Sequence, residues 1–262
     1  SDLDADGAPE TQYKHSYRYY GYFDNRRCYV YSTTSNQFAP TRKENGSSVT
    51  DPTYCGGTDE WHGNFLNWAT MTRMDVVRRI LYGGSRSTDN TTTSSPNPSM
   101  TVLERAHLPT DAHAFAKYYN GTDIRKLTPF SPGSNEISIC NASFKNSTYS
   151  HDNISAPSML VAAGNFALWN SNERWQCYWR ETKNPTNGNV AADSGLNSAS
   201  RNPYQAADGL GTGSSKGTYT VRVEVCKTGL DGATSPATGF TDDEEGRCKF
   251  YPLGNYKPVG LL

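Results

Sequence analysis

GNFLNWATMTRMDVVRRILYGG, residues 63 to 84, is the stretch on which the reading of this chain turns. Phe65, Trp68, Ala69, Thr72, Val76 and Ile80 recur at spacings of three or four, with Leu66, Val77 and Leu81 beside them, and that period predicts one amphipathic helix. Asn64 is a suitable N-cap. Asp75 and Arg79 stand one turn apart, and Arg78 and Arg79 lie toward the negative end of the helix dipole. Gly83-Gly84 supplies a left-handed stop. The expectation is a core helix buried along Phe65, Trp68, Val76 and Ile80.

Outward from this helix the chain is polar. Of its 262 residues only 35% are hydrophobic, and the mean hydropathy is −0.74. That composition fits a modest core carrying long polar insertions. A net charge of −1 excludes a strongly basic nucleic-acid binder, which needs clustered Lys and Arg to neutralise phosphates. No apolar run is long enough for a membrane span, and residues 1 to 15 lack the apolar core of a signal peptide.

Cys28, Cys55, Cys140, Cys177, Cys226 and Cys248 are dispersed, with no CxxC pair. Zinc-ribbon, thioredoxin-like and haem-attachment patterns are therefore absent, and an even set amid Ser/Thr/Asn-rich loops points to disulfides and export. Many pairings are open. Sequence order favours Cys28 with Cys55, Cys140 with Cys177 and Cys226 with Cys248.

Residues 1–15 read as a polar linker, and 16–262 as a single region with long loops at 85–99, 183–216 and 227–247. Within the linker, Asp2, Asp4, Asp6 and Gly7 match the start of a calcium loop, but its twelfth position is Tyr13 rather than an acid. Tyr17 to Tyr31 reads as a hairpin turning at Asp24-Asn25. Its tyrosines are expected to pack, a carbohydrate ladder being the alternative. Val102–His107 and Asp111–Tyr119 read as a short helix broken at Pro109, and His107, His113 and Asp111 match no metal-ligand spacing. A short strand is expected at Glu136–Cys140, a helix within Leu160–Trp179, and a half-solvated strand at Tyr219–Cys226. No nucleophile elbow or phosphate loop is written here, and the scattered acids Glu60, Asp75 and Glu104 have no catalytic spacing, so no enzyme is expected.

Five segments in order resemble one family. The helix motif, YYGYFDNRRCYVYS from Tyr19, TVLERAHLPTDAH from Thr101, GNFALWNSNERWQCYW from Gly164, and YTVRVEVC from Tyr219 with LGNYKPVGLL from Leu253 are similar to the N-terminal half of PilY/PilC type IV pilus tip proteins. The resemblance implies a mixed α/β fold, a von Willebrand A-like layer with large disulfide-braced insertions, incomplete in this chain, and a piece of a longer protein whose propeller lies elsewhere. It also implies an extracellular place at the cell surface or pilus tip, and a role in pilus assembly and attachment exercised by binding. Partners would be minor pilins, the remainder of the same protein, or a host or abiotic surface. The A-type metal motif DxSxS is absent, so no adhesion metal site transfers to any residue. The alternatives are a cleaved segment built into an extracellular filament, and a carbohydrate-binding or carbohydrate-active protein.

Overall fold

The computed structural model describes residues 12–44, 53–89, 101–107, 114–142, 157–164, 210 and 218–225, and the backbone of strands at 166–169, 178–181, 248–251 and 255–258. In chain order the elements are β1 (Arg27–Ser32), β2 (Gln37–Lys43), β3 (Glu60–His62), α1 (Gly63–Thr70), α2 (Arg73–Tyr82), β4 (Arg86–Asp89), β5 (Thr101–Glu104), β6 (Ala114–Tyr119), α3 (Ile124–Leu127), β7 (Ile137–Ala142), β8 (Ser158–Ala163), β9 (Phe166–Trp169), β10 (Tyr178–Glu181), β11 (Thr218–Thr220), β12 (Arg222–Glu224), β13 (Cys248–Tyr251) and β14 (Asn255–Pro258). This is a mixed α/β structure. Its larger sheet runs β3-β1-β2-β12-β5-β4 and its second runs β11-β8-β7-β6, with β9–β10 and β13–β14 as separate two-stranded pairs.

One core takes side chains from both sheets and from α1 and α3. Trp61 meets the rings of Tyr219 at 5.1 Å and Phe130 at 5.3 Å, both edge-on, as aromatic quadrupoles favour. The two sheets are also joined by the chain itself. The strand expected at Tyr219–Cys226 divides at Val221, so β11 pairs with β8 in one sheet while β12 lies between β2 and β5 in the other. Beside this crossing, buried Arg105 donates to Asn141 Oδ1 at 2.6 Å and to the Ser158 carbonyl at 3.3 Å.

Several expectations are corrected. Among the described residues β2–β12 is parallel and the other pairs are antiparallel, a pattern that does not bear out the von Willebrand A-like layer. The hairpin is β1–β2 rather than a turn inside Tyr17–Tyr31. β5, β6, β8 and β9 are strands where helices are expected from the sequence, because each finds a ladder partner that local propensity does not register. β4 occupies the start of the loop assigned to 85–99. Tyr13, assigned to the linker, is a core residue.

A disulfide joins Cys28 to Cys55, and Cys140 is also disulfide-bonded. The expected pairings of Cys140 with Cys177 and of Cys226 with Cys248 lie outside the described residues, as do Asp2, Asp4, Asp6 and the loops at 183–216 and 227–247. Among the described residues no helix is long and apolar enough to cross a membrane, which has no bearing on passage by a β-barrel.

Candidate functional site

The single helix expected over residues 63–84 is two. α1 ends at Thr70, Met71 is extended, and Thr72 caps α2 with a capping box to Asp75. Thr72 N and Thr72 Oγ1 donate to Asp75 Oδ2 at 2.9 and 2.6 Å, and Asp75 N donates back to Thr72 Oγ1 at 3.1 Å. Those bonds satisfy the orphan donors of a new helix start and reset the phase of the apolar pattern. All eight residues of α1 are buried, whereas in α2 only Asp75 is.

α2 is therefore inverted. The other carboxylate oxygen of Asp75 accepts from the Ala106 amide at 2.6 Å, which turns the polar side of the helix toward the protein. Met74, Val77, Ile80 and Leu81, related by three- and four-residue steps, consequently face outward with relative exposures of 52%, 46%, 49% and 68%. Tyr82 and the nearby Tyr20 are also exposed. The inner helix carries the apolar load of the core, and the outer one presents a contiguous apolar stripe to its surroundings.

This stripe is held rigidly. Gly83 adopts φ 83° at the C-cap, and the Gly83 and Gly84 amides donate to the Arg79 and Arg78 carbonyls at 3.0 and 3.2 Å. Gly84, at φ 107°, lies where a Cβ would stand 2.9 Å from Leu103 Cδ1 and 3.0 Å from Tyr22 Cε1. A side chain there would push α2 off β5. The Tyr22 hydroxyl accepts from the Ser85 amide at 3.0 Å, and the Arg79 guanidinium lies 4.3 Å from the centroid of the Tyr20 ring.

Underneath, two buried asparagines fasten the segment 13–23 to α1. Asn64 is not the N-cap, which is His62; its side chain instead donates to the Tyr17 carbonyl at 2.7 Å and accepts from the Tyr19 amide at 2.8 Å. His62 Nδ1 accepts from the Asn64 amide at 3.1 Å, so its Nε2–H faces the Thr53 carbonyl at 2.9 Å and Glu44 at 3.2 Å. His15 Nε2 donates to the same Thr53 carbonyl at 2.8 Å while its Nδ1 accepts from the Tyr13 hydroxyl at 2.7 Å. The sequence signal for this clamp is an Asn-x-x-Asn pair on an otherwise apolar helix. Burying two amides there requires fixed backbone partners.

The scattered acids weighed for catalysis are engaged in structural contacts. Glu60 accepts from Arg42 at 2.6 and 2.9 Å and from the Gly57 amide at 2.8 Å, Glu104 accepts from Arg222 at 2.5 Å, and Asp75 caps α2. Tyr22 and Tyr29 pack in the core. Among the described residues no group of three or more His, Cys, Asp or Glu side chains could hold a metal ion.

The comparisons with known proteins give these elements a family. Residues 10–162, more than half of the chain, match the model described as "PilY1 homolog, small alpha/beta domain". The chain belongs to this PilY1 homolog family. A "Type IV pilus biogenesis factor PilY1 homolog" of Xylella fastidiosa (strain Temecula1 / ATCC 700964) is 32% identical over 274 residues, which cover 100% of this chain and 15% of the relative. A second protein of that description and organism is 36% identical over 93 residues, 34% of this chain and 7% of its own. The chain thus spans a small part of the length of these PilY1 homologs. No solved structure matches it. The family model covers α1, α2 and the strands that hold them, which agrees with the resemblance carried by the helix motif.

Proposed function

We propose that this chain is a binding module of a type IV pilus biogenesis factor, serving pilus assembly and surface attachment from the cell exterior. It acts through contact rather than catalysis, and its contact surface is the outward face of α2. Two things support the reading: the type IV pilus biogenesis role for which the relatives are named, and the four large apolar side chains that α2 holds outward. An apolar stripe of this kind is a liability to an isolated domain, and a partner that covers it removes that liability. Minor pilins and the rest of a longer polypeptide are the partners this role requires.

The test is Val77→Ser with Leu81→Ser in cells that make the full protein. At unchanged protein level, surface piliation and attachment are expected to fall. Normal piliation and normal attachment would overturn the assignment of α2 as the contact face.

A further inference from the structure

The charges around the α2 stripe narrow what it receives. The cations of α2 are Arg73, Arg78 and Arg79, and its only carboxylate, Asp75, is buried against Thr72 and the Ala106 amide. Arg73 stands one turn before Val77, within the angular span of the stripe, and Arg78 stands one turn after Met74, at its edge. On the flank, Arg79 is stacked on Tyr20, which orients its planar donors in advance.

Three kinds of occupant meet these charges differently. A second copy joined about a two-fold axis would set arginine against arginine across an apolar seam, and like charges there oppose association. An anionic membrane would have to draw in the stripe, and by helical angle Arg73 falls between Ile80 and Val77, inside it. Insertion would strip water from that guanidinium without supplying a fixed partner. A protein segment can supply one, because a carboxylate placed beside the apolar contact forms a two-bonded pair with arginine.

We infer that the α2 face docks an apolar protein segment flanked by Asp or Glu carboxylates that pair with Arg73 and Arg78. This rests on the reading of α2 as the contact face and adds the chemistry of the partner.

The experiment uses the oxidised chain and three probes: two short amphipathic peptides with the same Leu/Ile face, one flanked by Glu and the other by Lys, and phosphatidylglycerol vesicles. The Glu peptide is expected to bind about tenfold more tightly than the Lys peptide at low salt, with the gap closing as salt rises. Leu81→Ser should weaken binding of the Glu peptide. Arg73→Glu with Arg78→Glu should reverse the preference, and Arg73→Gln with Arg78→Gln should level it, each in protein whose thermal unfolding is unchanged. Equal binding of both peptides that Leu81→Ser abolishes would overturn the carboxylate inference and leave the contact face standing. Vesicle binding that depends on Leu81, with neither peptide bound, would overturn the protein occupant. Absence of any binding sensitive to Leu81→Ser would overturn both readings.

Discussion

Asn67 and Phe23 are joined as if they were opposite residues of a sheet: the Phe23 amide donates to Asn67 Oδ1 at 3.0 Å, and Asn67 Nδ2 donates to the Phe23 carbonyl at 2.9 Å. The same amide group also donates to the Tyr19 carbonyl at 3.0 Å. A side chain thus does for the irregular segment 19–23 what a neighbouring strand does elsewhere. Asn67→Leu keeps the volume and leaves three backbone groups without their partner, at about 1–3 kcal/mol for each that stays buried. The expected loss in urea unfolding is at least about 2 kcal/mol, and a loss below about 0.5 kcal/mol would show that the segment finds other partners.

The two helices should respond in opposite ways to loss of an apolar side chain. Trp68 is buried among Tyr13 at 5.6 Å, Phe65 at 5.4 Å and Tyr119 at 6.2 Å, so Trp68→Ala should cost about 3–5 kcal/mol. Leu81→Ser on the outward face should change the stability of the isolated chain by no more than about 0.5 kcal/mol. Thermal unfolding of both variants checks this. A large loss for Leu81→Ser would mean that α2 packs inward after all.

Much of α1 was legible in the sequence, because Phe65, Leu66, Trp68 and Ala69 are buried as their spacing demands. The inversion of α2 was not, although its cause was written there as Thr72-Arg-Met-Asp75. A periodic count runs straight through a capping box that restarts the helix, and so puts Val76 and Ile80 in phase with Trp68. Strand assignment failed at Val102 and Phe115 for another reason. Their ladders join β5 to β12 across more than a hundred residues and β6 to β7 across α3, and sequence windows do not sense such partners. The dispersed cysteines point to disulfides, and the described Cys28, Cys55 and Cys140 are bonded.

The Cys28–Cys55 bridge spans a sequence separation of 27 and ties β1 to the segment that carries Thr53 and Tyr54. Loop-closure entropy assigns such a crosslink about 3.5 kcal/mol, so Cys28→Ala with Cys55→Ala should lower stability by about 2–4 kcal/mol. The loss should be accompanied by faster amide exchange at His62, whose fold-back onto Thr53 depends on that segment being held. Unchanged unfolding would place the ordering of residues 53–55 in their side-chain contacts alone.

Acid should loosen the chain in two stages. Burial, and then the neighbouring His62, hold the His15 imidazole below its ordinary value, with the Thr53 carbonyl acting in the opposite sense. The unfolded chain therefore takes up a proton at His15 in a window where the folded one does not, so stability falls as pH drops below about 6.5 and levels off beneath the folded value. Glu44 and Glu60 follow the other rule. Burial alone would raise both carboxyls, but the hydrogen bonds from His62 and Arg18 to Glu44, and from Arg42 and the Gly57 amide to Glu60, outweigh it and hold them low. Their contribution is complete above the ordinary carboxylate value of about 4.3 and is lost as pH falls through the depressed one. His15→Gln, whose amide retains a donor for the Thr53 carbonyl, should remove the first stage and leave the second. Urea midpoints followed from about pH 8 to about pH 3 separate the stages, because the histidine stage opens at about pH 6.5 and the carboxylate stage only below about pH 4.3. An identical fall between about pH 7 and pH 5 in the wild-type chain and in His15→Gln would assign that stage to another group, and the paired donation of His15 and His62 to one carbonyl would not be its cause.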